Sequence, residues 1–201
     1  MRWVKYKQVI ENFFSLSILN ALNVLLPLVT LPYMLHVVGK ANYGAYSYVY
    51  AVVQYVILFS TYGFNFSATK QISQCRDDKE KVSKIYNAVT ASKTLIALSL
   101  SVLLLLCAKL VFKDGVGTLM FVYGLGMVIG DVLTPIWLFQ GMEKMKYMTI
   151  VNASSKILFT ILIFIVVRAS DDYQLLILLN SCGYLLAGVL SLILVCRQFH
   201  L

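Results

Sequence analysis

Six apolar runs, each near or above the roughly 18–20 residues needed to cross the hydrocarbon of a bilayer, divide this sequence from end to end. They lie at about 13–38, 45–69, 86–110, 118–140, 148–167 and 174–196. Water-soluble domains average roughly 45–50% apolar residues. This chain of 201 residues is 60% hydrophobic, with a mean hydropathy of +0.80. In lipid every backbone N–H and C=O must be satisfied inside the protein, and consecutive helices joined by short turns do that. The pattern predicts an all-α membrane protein whose six transmembrane helices form one bundle over residues 1–201. The basic and then apolar start is similar to a signal peptide. No small-residue cleavage site follows, and the run continues to Val38, so it reads as an uncleaved first span.

The net charge of +8 is not gathered into a nucleic-acid-binding patch. Of the seventeen Lys and Arg, eleven lie in the N-terminus, residues 70–84, residues 143–146 and the C-terminus. Four (Lys40, Lys109, Lys113 and Arg168) lie in the intervening turns. Basic residues favour the cytoplasmic side, so both termini are expected there. Residues 70–84 form the longest charged stretch and are expected to make a short amphipathic helix on the membrane surface. Enzyme chemistry has little support. The chain has no H-E-x-x-H, no Gly-rich phosphate loop and no G-x-S-x-G, and His36 and His200 stand far apart. The four cysteines lack metal-ligand spacing and read as reduced. The sequence calls for no cofactor and no metal.

Lys93, Asp131 and Lys156 fall inside spans three, four and five. A charge at mid-membrane depth costs about 2.5–3.5 kcal/mol or more, so such residues face a bundle interior or a wet cavity. Other polar residues recur at helical spacing: Asn12, Asn20, Asn23 and Thr30 in span one, Tyr50 and Gln54 in span two, Asn152 and Thr160 in span five, Asn180 and Tyr184 in span six. Two readings stand. These stripes pack helices together, or they line a hydrated cavity for a polar cargo. In the second, Lys93 and Lys156 receive an anion, Asp131 neutralises one of them or carries a proton, and Asn23, Gln54 and Asn152 complete the wall. Lys156 lies about two turns into its span, so snorkelling to the interface is an alternative for it. Tyr43, Tyr46, Tyr48 and Tyr50 read as an aromatic belt, with a sugar-stacking surface as the sharper alternative.

Local breaks are also legible. Pro27 and Pro32 predict a kink or broken turn near residues 26–32, and Pro135 removes a hydrogen bond from span four. Gly126 and Gly130 invite close helix approach. Residues 39–44 read as a short turn shaped by Gly39 and Gly44.

Three of these stretches resemble one family when taken in order. PLVTLPYMLHVVGKANYG, at Pro27–Gly44, is similar to the signature that ends the first span in bacterial polysaccharide biosynthesis proteins. YGFNFSATKQIS at Tyr62–Ser73 and PIWLFQGMEKM at Pro135–Met145 resemble its later motifs. The matching positions are Pro32, Tyr33, Gly39, Gly44, Gly63, Phe64, Trp137, Gln140, Gly141, Glu143 and Met145. His36 departs from the pattern, standing where an arginine is common. The family includes the O-antigen and capsule flippases of the multidrug, oligosaccharidyl-lipid and polysaccharide exporter superfamily. The resemblance implies a MATE-like fold of twelve or more helices, two bundles facing each other across a central cavity. It also implies alternating access and a polyprenyl-diphosphate-linked glycan, moved from the cytoplasmic to the outer leaflet of the bacterial inner membrane. This chain would supply the first bundle, as a truncated half or as one of two associating copies. A drug or lipid exporter is the alternative cargo class. A non-transporting remnant or scaffold, binding polysaccharide-assembly proteins, is the alternative role.

Overall fold

The computed structural model describes residues 2–112 and 115–199. Lys113 and His200 lie outside the described residues, as do the side chains of Arg2, Lys5, Lys7 and Asn12. Within that range all regular structure is helical: α1 (Arg2–Val37), α2 (Gly39–Thr61), α3 (Phe64–Gln74), α4 (Lys79–Val111), α5 (Val116–Val132), α6 (Ile136–Gly141), α7 (Met145–Val166) and α8 (Tyr173–Phe199). A 3-10 turn at Ser170–Asp172 precedes α8. Six stretches are long and apolar enough to cross a membrane: Phe13–Val37, Gly39–Gln74, Lys79–Val111, Gly117–Gly141, Met145–Val166 and Ser170–Gln198. This is a multi-pass membrane protein.

Two of the six spans are broken. The second parts at Tyr62 and Gly63, with φ of 35° and 76°, a left-handed step that the glycine takes without strain. The fourth parts between Val132 and Ile136, where Pro135 has no N–H to return to the carbonyl of Asp131, four residues earlier. Thr134 closes the gap from within, its hydroxyl donating to the Gly130 carbonyl at 2.7 Å and its N–H to Asp131 O at 3.2 Å.

Several local expectations need correction. Residues 39–44 are not a turn but the start of α2; Gly39 shapes the junction at φ 80°, whereas Gly44 sits exposed inside the helix. α1 runs as one helix through Pro27 and Pro32, so the broken turn expected there as the alternative to a kink does not occur. Residues 70–84 make no separate surface helix. They end α3, turn at Cys75–Asp78 and begin α4, which Asp78 caps by accepting from Lys81 N at 3.1 Å. The Lys81 side chain and then its N–H hold the Asp78 carboxyl below the usual range. The tyrosines do not form a belt. Tyr46 is buried, its ring packed at a tilt between those of Tyr43 and Tyr50, and only Tyr48 of the four is exposed.

α5 is the centre of the packing, against α8, α2 and α4. Its glycines allow this: a methyl on Gly130 would stand 2.3 Å from the Tyr184 carbonyl carbon, and one on Gly126 2.9 Å from Ser181 Cβ. Val53, Met127, Leu176 and Ile177 form the core around it. α7 packs on α8 and α1, and α3 packs on α6. Leu95, Leu98, Leu106 and Leu110 point outward from α4, as lipid-facing residues do. The turns at 75–78 and 142–144 share one end of the molecule, joined by Arg76 and Glu143. The α1–α2 and α7–α8 junctions share the other, joined by Asn42 donating to Ser170 O.

Candidate functional site

A cavity of about 410 Å³ lies between α1, α2, α7, α8 and the α5–α6 break. Asn23, Gln54, Asp131, Asn152 and Lys156, five of the six residues singled out as cavity candidates, line it together. Their convergence follows from helical spacing and charge: Asn23, Gln54, Asn152 and Lys156 sit on polar stripes, Asp131 is the one carboxylate of span four, and all face inward because lipid repels them.

The sixth, Lys93, lies behind this wall. It is 4% exposed, and its Nζ stands 2.8 Å from Asp131 Oδ2 and 2.9 Å from the Asp131 backbone oxygen. Lys93 and Lys156 therefore do not form a cationic pair in the cavity. One cation is neutralised by Asp131. The other, Lys156, donates to the Asn23 amide oxygen and forms no ion pair among the described residues. Its side chain is part of the cavity wall.

Around Asp131 the wall is phenolic. Tyr184 accepts from Gln54 Nε2 at 3.3 Å, and Tyr50 lines the same wall. One turn earlier on α8, Asn180 donates to Tyr46 Oη at 3.2 Å. Ser155, 1% exposed, lines the cavity with no hydrogen-bond partner for its hydroxyl among the described residues. Sequence reasoning missed Ser155 and Thr134. Ser155 stands three residues after Asn152, so strict i, i+3 spacing was the signal available.

The motif residues lie elsewhere. Trp137 and Met145 are buried at the far end, Trp137 against the Tyr86 ring at 5.9 Å. Gly141 lets α3 close in: a methyl there would meet Ile72 Cβ at 2.7 Å. Arg76 bridges Glu143 at 2.6 Å and donates from Nε to the Gly141 carbonyl at 2.7 Å. Gln140 is exposed. Gly63 and Phe64 begin α3. Pro32 is exposed, while Tyr33 donates to Val167 O at 2.7 Å and packs on Phe164. None of these motif residues lines the cavity. No cluster of His, Cys, Asp or Glu able to hold a metal occurs among the described residues.

Comparison with known proteins decides the family. The polysaccharide biosynthesis protein family matches residues 9–201. This chain belongs to that family. An Escherichia coli K12 protein carrying the name "Putative O-antigen transporter" is 33% identical over 188 residues, covering 94% of this chain and 45% of that relative. A Shigella dysenteriae protein of the same name is 28% identical over 186 residues, covering 92% of this chain and 46% of its own length. The chain thus spans about half the length of the curated relatives it matches. Both relatives carry a transporter's name, and neither carries an enzyme's name. No solved structure matches the chain.

Proposed function

We propose that this chain is one helical half of a transporter for polyprenyl-diphosphate-linked oligosaccharide, an O-antigen or capsule repeat unit. The cargo moves from the cytoplasmic to the outer leaflet of the bacterial inner membrane by alternating access. Both termini are cytoplasmic, and a second bundle of a MATE-like fold encloses the path. The observation that carries this reading is the cavity: Lys156, free of any carboxylate partner among the described residues, in a wall of amides and phenols. A phosphate oxygen seeks such a cation, and charge-assisted hydrogen bonds are the strong ones. Asn23 and Asn152 flank it. Gln54, Tyr50, Tyr184 and Asp131 offer the donors and acceptors that sugar hydroxyls need, while the polyprenyl tail stays in lipid.

The test uses the native chromosomal gene, tagged at its 3′ end so that the product's mass is read at the same time. Lys156→Gln removes the charge and leaves a donor. We expect unchanged membrane levels, accumulation of lipid-linked precursor and at least about a tenfold loss of surface polysaccharide, the scale of a lost charged hydrogen bond. Normal polysaccharide display in that variant overturns the assignment. Altered dye efflux alone would favour a drug exporter.

A further inference from the structure

The α5–α6 break has a feature that packing alone does not require. Pro135 deprives the Asp131 backbone oxygen of its i+4 donor; Thr134 N–H at 3.2 Å takes one lone pair and Lys93 the other, the last turn of α5 ends there, and Asp131 also supplies a carboxylate. A helix C-terminus carries partial negative charge, so the break concentrates a full and a partial negative charge in one buried place. Transporters with broken membrane helices use such unwound carbonyls and half-helix ends to coordinate sodium or protons. Here a side chain from α4 reaches the spot. Lys93 Nζ contacts Asp131 Oδ2 at 2.8 Å and the Asp131 backbone oxygen at 2.9 Å. Lys93 is 4% exposed and does not line the cavity, so the ammonium is committed to the break.

We propose that Lys93 is a tethered cation that fills the monovalent-cation site of the α5–α6 break, so that this protein binds no sodium there. The charged and titratable groups facing Asp131 are Lys93 from α4 and Tyr184 from α8, with Tyr50 on α2 and Lys156 on α7 lining the same cavity. Asp131 is the carboxylate among them, and the nearest ammonium belongs to the chain. Removing that ammonium while keeping the carboxylate leaves two converging oxygens suited to a hard monovalent ion. The inference concerns the break alone and stands whether or not the cavity takes a lipid-linked glycan.

The experiment is thermal unfolding of the full native gene product in lipid nanodiscs, in sodium chloride and in choline chloride at equal ionic strength. The unmodified protein should melt at the same midpoint in both. Lys93→Ala should melt lower overall and gain a sodium-specific rise of about 1–3 °C, the shift expected for a chain of roughly twice this length when sodium stands at about five times its dissociation constant. Adding Asp131→Asn to Lys93→Ala should abolish that rise. A sodium-dependent midpoint in the unmodified protein overturns the proposal, and so does a Lys93→Ala midpoint that is identical in the two salts. Lys93→Gln, which keeps a donor at the break without the charge, takes the place of Lys93→Ala if the latter fails to accumulate, with the same two outcomes. Because the readout is melting rather than transport, an error about the cargo leaves it unaffected.

Discussion

The end of the bundle around Trp137 and the cavity beside Lys156 are built on opposite terms. At the Trp137 end, polar groups are paired: Arg76 holds both the Glu143 carboxylate and the Gly141 carbonyl, and Thr69 donates to Trp137 O at 3.2 Å. Ile72, Leu138, Phe139 and Met148 are fully buried around them. In the cavity wall, Lys156 has only an amide oxygen, and the Ser155 hydroxyl has no partner among the described residues. The first region contains the family's most recognisable motif, the second almost none of it. A motif of bulky and special-backbone residues marks where two half-helices must lock. A binding wall needs only single polar residues on separate helices, and those leave no local pattern.

The comparison breaks first on stability. Trp137→Ala should cost about 3–5 kcal/mol, the range for truncating a large buried aromatic side chain. Thermal unfolding in nanodiscs reads it directly. A cost under about 1 kcal/mol would show that the Trp137 end is not the packed unit described. Gly130→Ala comes next, at about 1–3 kcal/mol of overpacking, because the added methyl meets α8 backbone at 2.3–2.7 Å rather than a yielding side chain. Its effect should spread to the cavity by displacing Tyr184. If the variant melts normally, α5 and α8 do not approach as closely as their glycines suggest.

How much of this the sequence revealed follows from the same contrast. The six spans were legible because span length and hydropathy are strong signals; Asn23, Gln54, Asn152 and Lys156 were legible from helical spacing, and Asp131 from the cost of a charge at membrane depth. The placing of Lys93 was not. Spacing on α4 gives a face, but only the packing of α4 on α5 shows that this face meets the Asp131 carbonyl at the break. The breaks were half legible: Pro135 was readable as a lost hydrogen bond. The break at Tyr62 and Gly63 was missed: Gly63 was read only as a motif position, and nothing in the apolar run announces that both residues turn left-handed. The tyrosines misled for a physical reason. Aromatic rings near a span end suit an interface belt and a packed ladder equally, and only burial separates them.

A smaller effect sharpens the paired side of the contrast. Arg76 and Glu143 remain 34% and 24% exposed at their side chains. Solvent screening therefore limits their bridge to about 0–1 kcal/mol. Arg76→Ala should lower stability by about that much, with part of the loss coming from the Gly141 carbonyl. A double-mutant cycle with Glu143→Gln should show coupling that weakens as salt is raised. Coupling that ignores salt would mean the bridge is buried on a membrane face rather than wet.

The smallest effect tests the unpaired side and carries the more informative sign. Ser155→Ala removes a buried hydroxyl whose hydrogen bond finds no partner among the described residues. Burying a hydroxyl unpaired costs free energy, and replacing it with hydrogen leaves only a small void. The isolated protein should therefore be unchanged or stabilised by up to about 1 kcal/mol, since the penalty is partly relieved. Transport should fall, because an interaction offered to cargo has been withdrawn. Opposite signs in melting and transport mark a residue kept for a ligand at the expense of the fold. If Ser155→Ala instead loses stability and transport together, the hydroxyl has a partner within the full-length protein and belongs to the wall's packing. Transport that stays normal in a variant of unchanged stability would place the cargo against Lys156 and Asn152 without touching the residue between them.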